Sequence, residues 1–492
     1  MSGTAEVTWA GRTAAEIAAA VRARDVSPVE VVDDCLAAIA QRNPALNAIV
    51  HVAAGEARAA ARAAERTVLA GEPLGALHGV PVIGKDLFGV KPGWPATHGG
   101  IPALRDRRST APSIFAERIE AAGAIVVGSG NSPIMGMRGT CDNPLYGPTR
   151  NPFDLDRNSG GSSGGGAAAV AAGIVPIAEG TDGGGSVRIP ASWCGVYGFK
   201  ATYGRVPYCG RPNAFAGLDP FLFRGPITRT VGDAALALAA LCGPDPRDPH
   251  CLLDDFDPLA ALPGSLEGTR IAYSPALDVF PVDPRVAEVV ERAVGRLAEA
   301  GAHVEQVELG LKADQRELSE LWFELILPMN LQVFEVLKRE GVDVLGDHAD
   351  QLPERYRERL AAAATRTTLD RMRAQELRTA VYDAIERVFA QFDLLASPTL
   401  SCLPVPNAAD GATEGPSEVA GIPVDPLIGW CPTYLLNFTG HPAASLPAGF
   451  AEGLPVGLQL AARRGADAHL LAASAAFEQI EPWDWTYRGT VV

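Results

Sequence analysis

The chain runs to 492 residues, 47% hydrophobic and 20% charged, so it carries the material for a substantial core and lacks the composition of a disordered segment. A formal charge of −16 with no clustered Lys/Arg stripe argues against a phosphate-neutralising surface, and nucleic acid is not an expected ligand. Eight cysteines scattered singly, with no C-x-x-C spacing, read as reduced thiols rather than a disulfide frame or zinc site; with no apolar leader and no run of about 18 apolar residues, neither secretion nor membrane insertion is expected, and a reducing cytoplasm fits best.

Residues 1–70 read as helical, with the clearest start at "SPVEVVDDCLAAIAQRN", where Ser27 is the N-cap, Pro28 opens the helix and Glu30 closes a capping box. From "LHGVPVIGKDLFGV" onward, short apolar runs broken by Gly and Pro suit strands and site-forming loops. A helix is expected after Ser109, stopping at Gly123, followed by the buried strand "AIVVGSG". The stretch "NSGGSSGGGAAAVAAG", 158–173, then concentrates backbone freedom around two hydroxyls and runs into an alanine-rich segment. Its flanks are apolar rather than polar and repetitive, which favours a site over a flexible linker. Further on, "TRIAYSP", "DPRVAEVVERAVGRLAEAGA" and "HVEQVEL" read as a strand–helix–strand unit. Residues 313–390 are mostly helical by periodicity, and "FDLLASPTL" and "LPVGLQLAARR" return to strand. With no internal repeat and no long linker, this is an α/β chain expected to form one large domain.

The chemistry concentrates in two glycine-rich loops. Ser162 and Ser163 sit in G-G-S-S-G-G, which is not the G-x-S-x-G nucleophile elbow. A second loop, "EGTDGGGSVRIPASWCG", places Ser186 24 positions after Ser162, close enough for the intervening segment to return both serines to one pocket. The glycines at 183, 184 and 185 can turn their N–H groups to a common point, as stabilising a tetrahedral oxyanion requires, so Ser186 is the natural nucleophile. Neither the P-loop nor the dinucleotide-binding glycine pattern is present. A serine needs a base. The histidines, including His78, His98 and His441, stand alone in sequence, whereas Lys85 is embedded in the apolar run "VPVIGKDLFGV", where desolvation lowers its pKa and frees the neutral amine.

G-G-S-S-G-G followed by "GTDGGGSVRIPASWCGVYGFK", with "VPVIGKD" upstream, resembles the amidase signature family of serine hydrolases. The resemblance extends over "GPITRTVGDAALALAAL" and "NFTGHPAASLPAGFAEGLPVGLQLAARR" and misses mainly residues 310–390. It implies a single domain over 1–492 built on a central mixed, twisted sheet with helices on both faces. Within it, 1–70 would be an N-terminal helical region, 71–265 the catalytic core, 310–390 a helical substrate-pocket region and 391–492 a return to the sheet. It also implies a Ser-Ser-Lys triad: Ser186 as nucleophile, Ser162 as bridging serine behind a cis peptide bond, and Lys85 as base. The N–H groups of Gly183, Gly184, Gly185 and Ser186 would form the oxyanion hole, with Asp182 and Arg188 tying the loop down and no metal or organic cofactor required. Two positions depart from the family pattern: Gly183, where a side chain is common, and Ala201, where proline is usual.

The implied activity is hydrolysis of a carboxylic amide through an acyl-enzyme, on a small-molecule substrate with an apolar or aryl group; esters and carbamates are compatible, and a homodimer is left open. Met135, Met137, Phe215, Trp322, Phe323 and Phe334 are candidates for apolar lining, although each residue type at such spacing also serves as ordinary core. Two rival readings exist. One is the glutamine-hydrolysing component of a tRNA-dependent amidotransferase, opposed by Ile189 where those proteins tend to carry glutamine. The other is a catalytically silent binding or scaffold member, opposed by the joint retention of Lys85, Ser162 and Ser186.

Overall fold

The computed structural model describes residues 9–484, 487, 490 and 491. The first eight residues, part of the stretch considered above for a leader, lie outside the described residues. Eleven strands form one sheet: β1 (Ile49–Val52), β2 (Pro81–Lys85), β3 (Ile125–Gly130), β4 (Ile177–Asp182), β5 (Tyr197–Lys200), β6 (Phe223–Thr228), β7 (Arg270–Tyr273), β8 (His303–Gln306), β9 (Leu394–Pro398), β10 (Ala443–Ala451) and β11 (Leu454–Ala462). Their order across the sheet is β1-β3-β2-β4-β6-β5-β10-β11-β9-β7-β8. The sheet is mixed. β2 lies parallel to β3 and β4, and β7 parallel to β8 and β9, while antiparallel pairs join these two blocks through β6, β5, β10 and β11.

Period-2 alternation explains why helices cover both faces. In β2 and β3, Val82 and Val126 join one apolar cluster while Ile83, Ile125 and Val127 join another on the opposite face. The first cluster takes in the helices Val231–Leu241, Pro284–Glu299 and Asp467–Ile480, and the second the helices Pro28–Leu46 and Gly164–Ala171. In β9 the same alternation sends Leu394 and Ala396 to the first face and Leu395 to a third cluster, built on the long helix Gln315–Arg339.

Local signals act where the pattern places them. Ser27 accepts from the Val29 N–H, and Glu30 accepts from the Ser27 N–H at 2.8 Å, closing the expected capping box. The β7–helix–β8 unit forms as a parallel pair around Pro284–Glu299, whose Asp283 cap accepts from Arg285 N. Two expectations need correction. The helix placed after Ser109 begins at Ile114, because Pro112 biases the preceding residue away from helix and the Ser113 hydroxyl supplies the cap, accepting from Ala116 N. The first seventy residues also hold a strand, β1: the preceding helix ends at Asn47 in a left-handed turn (φ 53°), and Ile49, His51 and Val52 of the β-branched run "IVHV" then pair with the free edge of β3.

All eight cysteines are unpaired. Among the described residues, no helix is long and apolar enough to cross a membrane.

Candidate active site

Lys85 ends β2, the central strand of the parallel block β3-β2-β4. It is 4% exposed, and its Nζ donates to Ser162 Oγ at 2.8 Å and to Thr181 Oγ1 at 2.7 Å. Burial pulls the ammonium down to about 7, so near neutral pH the amine is substantially uncharged.

Ser162 follows a cis Gly161–Ser162 peptide and precedes the helix Gly164–Ala171. The crowding explains the glycines: a Cβ on Gly161 would stand 2.2 Å from Thr140 O. The segment 174–176 then carries the chain from that helix into β4, which returns it beside β2. Both a helix and a strand thus fill the connection between the two serine loops, and Ser162 and Ser186 line one cavity.

The loop after β4 is anchored from within. Asp182 accepts from the N–H groups of Gly185 (2.7 Å) and Val187, from Arg188 Nε and Nη2, and from Asn437 Nδ2. Arg188 also donates to Thr433 O, Gln459 Oε1 and Asn437 Oδ1. Burial opposes ionisation of Asp182, but the guanidinium and the donated hydrogen bonds outweigh it and hold the carboxyl down to about 2. The Gly183 carbonyl accepts from Trp322 Nε1 at 2.9 Å and the Gly184 carbonyl from Thr433 Oγ1 at 2.7 Å, which fixes the peptide planes of the turn.

Gly185 is placed differently from the expectation. Its N–H is engaged by Asp182, it lies outside the cavity lining, and at φ 127° a Cβ would meet Thr433 Oγ1 at 2.0 Å, so it shapes the turn rather than facing the cavity. Gly183, Gly184 and Ser186 do line it. The room beside Gly183 is filled rather than open: a Cβ there would stand 2.8 Å from Leu222 Cδ2.

Of the apolar candidates, Met135 and Trp322 line the cavity. Met137 and Phe323 are buried in core instead, the Phe323 ring lying under the Arg359 guanidinium at 4.1 Å. Phe334 packs near Tyr356 in the same core, and Phe215 is 58% exposed beside His250, bounding a separate depression. The remaining walls come from Leu87, Phe88, Tyr208, Leu222, Phe223, Arg224, Ile326 and Met329. Sequence reading passed over these residues. For two of them a signal existed, since Trp322, Ile326 and Met329 follow an i, i+4, i+7 stripe on one helix. His78, His98 and His441 are not among the residues that line the cavity: His78 contacts Ala64 O, His98 is buried with Nε2 beside Arg107 Nη1, and His441 contacts Thr439 Oγ1.

Comparison with known proteins gives a consistent answer. The family model "Amidase" matches residues 30–471. An acylamidase from Rhodococcus erythropolis is 37% identical over 477 residues, covering 96% of both chains. The A-type subunit of a glutamyl-tRNA(Gln) amidotransferase from Chloroflexus aurantiacus is 35% identical, covering 94% of this chain and 96% of that one. Among solved structures, a bacterial aryl acylamidase superposes with a TM-score of 0.96 at 48% identity, covering 97% of this chain and 98% of that one.

Proposed function

The chain belongs to the amidase signature family and is an amide-hydrolysing enzyme, and on that premise we propose that it cleaves amides bearing an apolar or aryl group through a Ser-Ser-Lys relay and an acyl-enzyme. The observation that carries the relay is the 2.8 Å contact between Lys85 Nζ and Ser162 Oγ, in a cavity that Ser186 shares. Neutral Lys85 accepts the Ser162 proton while Ser162 accepts that of Ser186, whose Oγ bonds to the carbonyl carbon. Negative charge collects on the carbonyl oxygen against the N–H groups of Gly183, Gly184 and Ser186. The proton returns by the same route to the leaving nitrogen as the C–N bond breaks. Water then attacks the ester, giving its proton to the relay and releasing the acid and Ser186. Esters and carbamates, with the same carbonyl geometry, fall within reach of this chemistry.

The apolar walls of Leu222, Phe223, Trp322, Ile326 and Met329 support an apolar or aryl substrate over glutamine. Ile189, buried in core, offers no polar group beside the loop. A silent scaffold would have no use for a lysine buried against two hydroxyls, because an unneeded buried amine is a cost in stability.

The test is mass mapping after exposure to an alkyl fluorophosphonate, paired with arylamine release from simple anilides. A single adduct on Ser186 with anilide turnover is the expected result; a folded protein that takes no label would overturn the relay. The amine must be uncharged to accept a proton, so activity is present above the Lys85 pKa and lost as pH falls through it. The kcat/KM for an uncharged anilide is therefore expected to drop about tenfold per pH unit below about 7. A profile flat from pH 5 to 9 would remove Lys85 as the base.

A further inference from the structure

Backbone pairing between β2 and β4 ends at Ile83↔Ala178, so the Lys85 N–H lies beyond the ladder. The Glu179 carboxylate takes over: Oε2 accepts from Lys85 N at 3.0 Å. This puts a 2%-exposed carboxylate on the backbone of the very residue that carries the buried amine. Left alone, such a carboxylate would favour the ammonium and compete with Ser162 for it. Its other oxygen, Oε1, is held by Arg224 Nη1 from β6, where Arg224 stands opposite Thr181, the second partner of Lys85 Nζ. The Arg224 Nε is buried with no hydrogen-bond partner among the described residues, so this guanidinium is not the hub of a saturated structural network.

We propose that Arg224 is a positioning residue for Lys85: by occupying and neutralising Glu179, it keeps the lysine amine uncharged and directed at Ser162. The other groups facing Lys85 leave Glu179 as the deciding charge. Asp182 is already paired with Arg188, and burial pushes the Cys141 thiol up to about 11, leaving it neutral at working pH. Thr181 and Ser162 are uncharged hydroxyls. Glu179 and Arg224 act on the lysine with opposite sign.

The inference rests on the relay proposed above, and the experiment separates the two. The rate of Ser186 labelling by an alkyl fluorophosphonate is followed from pH 5.5 to 9.5 in the full-length protein. An acid limb near 7 in the wild type that disappears in Lys85→Ala supports the relay; labelling equally fast in Lys85→Ala at every pH overturns it, and the inference with it. Given the relay, Arg224→Met is expected to move the limb up by about one pH unit, slowing labelling about tenfold at pH 6 with recovery by pH 9. Glu179→Gln should move it down, the double variant should return it close to the wild-type position, and Arg224→Lys should keep it there. A uniform slowing at all pH values with the limb unmoved, or a downward shift in Arg224→Met, would mean a merely structural pair. Should Arg224→Met fail to fold, Glu179→Gln, which retains an acceptor for the Lys85 N–H, carries the same signed test.

Discussion

Replacing Ser186 with alanine is expected to lower kcat/KM for amide hydrolysis by at least about 10⁴-fold, since a nucleophile acting as one unit with its base loses almost the whole chemical step when removed. The fold should survive the change. Ser186 lies at the cavity wall, and losing one hydroxyl there leaves no void in the core. Arylamine release from an anilide, read beside thermal unfolding, checks both halves. Turnover near the wild-type rate in a folded Ser186→Ala protein would sink the mechanism, whereas a shared loss of activity and stability would point to a structural role. The fluorophosphonate adduct should vanish in the same variant.

The second large effect concerns stability. Arg188→Met removes the cation that Asp182 faces and the donor that Thr433 O, Gln459 and Asn437 share. Both partners of the Arg188–Asp182 pair have fully buried side chains, so the variant strands a carboxylate away from water, at a cost of about 3–5 kcal/mol. Urea unfolding monitored by circular dichroism measures it, and a change under about 1 kcal/mol would show that the pair is dispensable. The pH dependence has a defined sign. Asp182 is depressed from its ordinary 3.8 to about 2, so its contribution is complete above the ordinary value and is lost as pH falls toward the lower one. The deficit of Arg188→Met should accordingly be largest near neutrality and shrink in acid, where protonated Asp182 no longer needs a cation. Activity should fall with stability, because the same carboxylate holds the Gly185 N–H and so the turn that carries Ser186.

Glu179 and Arg224 illustrate what a linear reading misses. Glu179 stands three residues before Asp182, inside the glycine-rich motif itself, yet nothing along the chain says that its carboxylate replaces a lost ladder bond on β2. Arg224 sits in "FLFRGPIT", and nothing along the chain names its partner. Its partner becomes visible only when β6 is laid antiparallel on β4, with Arg224 opposite Thr181. Gly185 makes the same point in reverse. Its sequence neighbours group it as an oxyanion donor, but the Asp182 side chain three residues back reaches its N–H first.

What the sequence determined by itself is the chemistry that depends on near neighbours. The cap at Ser27, the strand–helix–strand unit around Pro284–Glu299, the apolar setting of Lys85 and the glycine crowding around Ser162 and Ser186 are all properties of short windows. There propensity, hydrogen-bond geometry and spacing act directly. The tertiary structure decided everything that depends on which distant segments meet. Trp322 and Phe323 are adjacent and both aromatic, yet one binds the Gly183 carbonyl at the cavity and the other turns into the core against Arg359. Consecutive helical residues point about 100° apart, and only the packing of that helix against the loop after β4 selects the inward face.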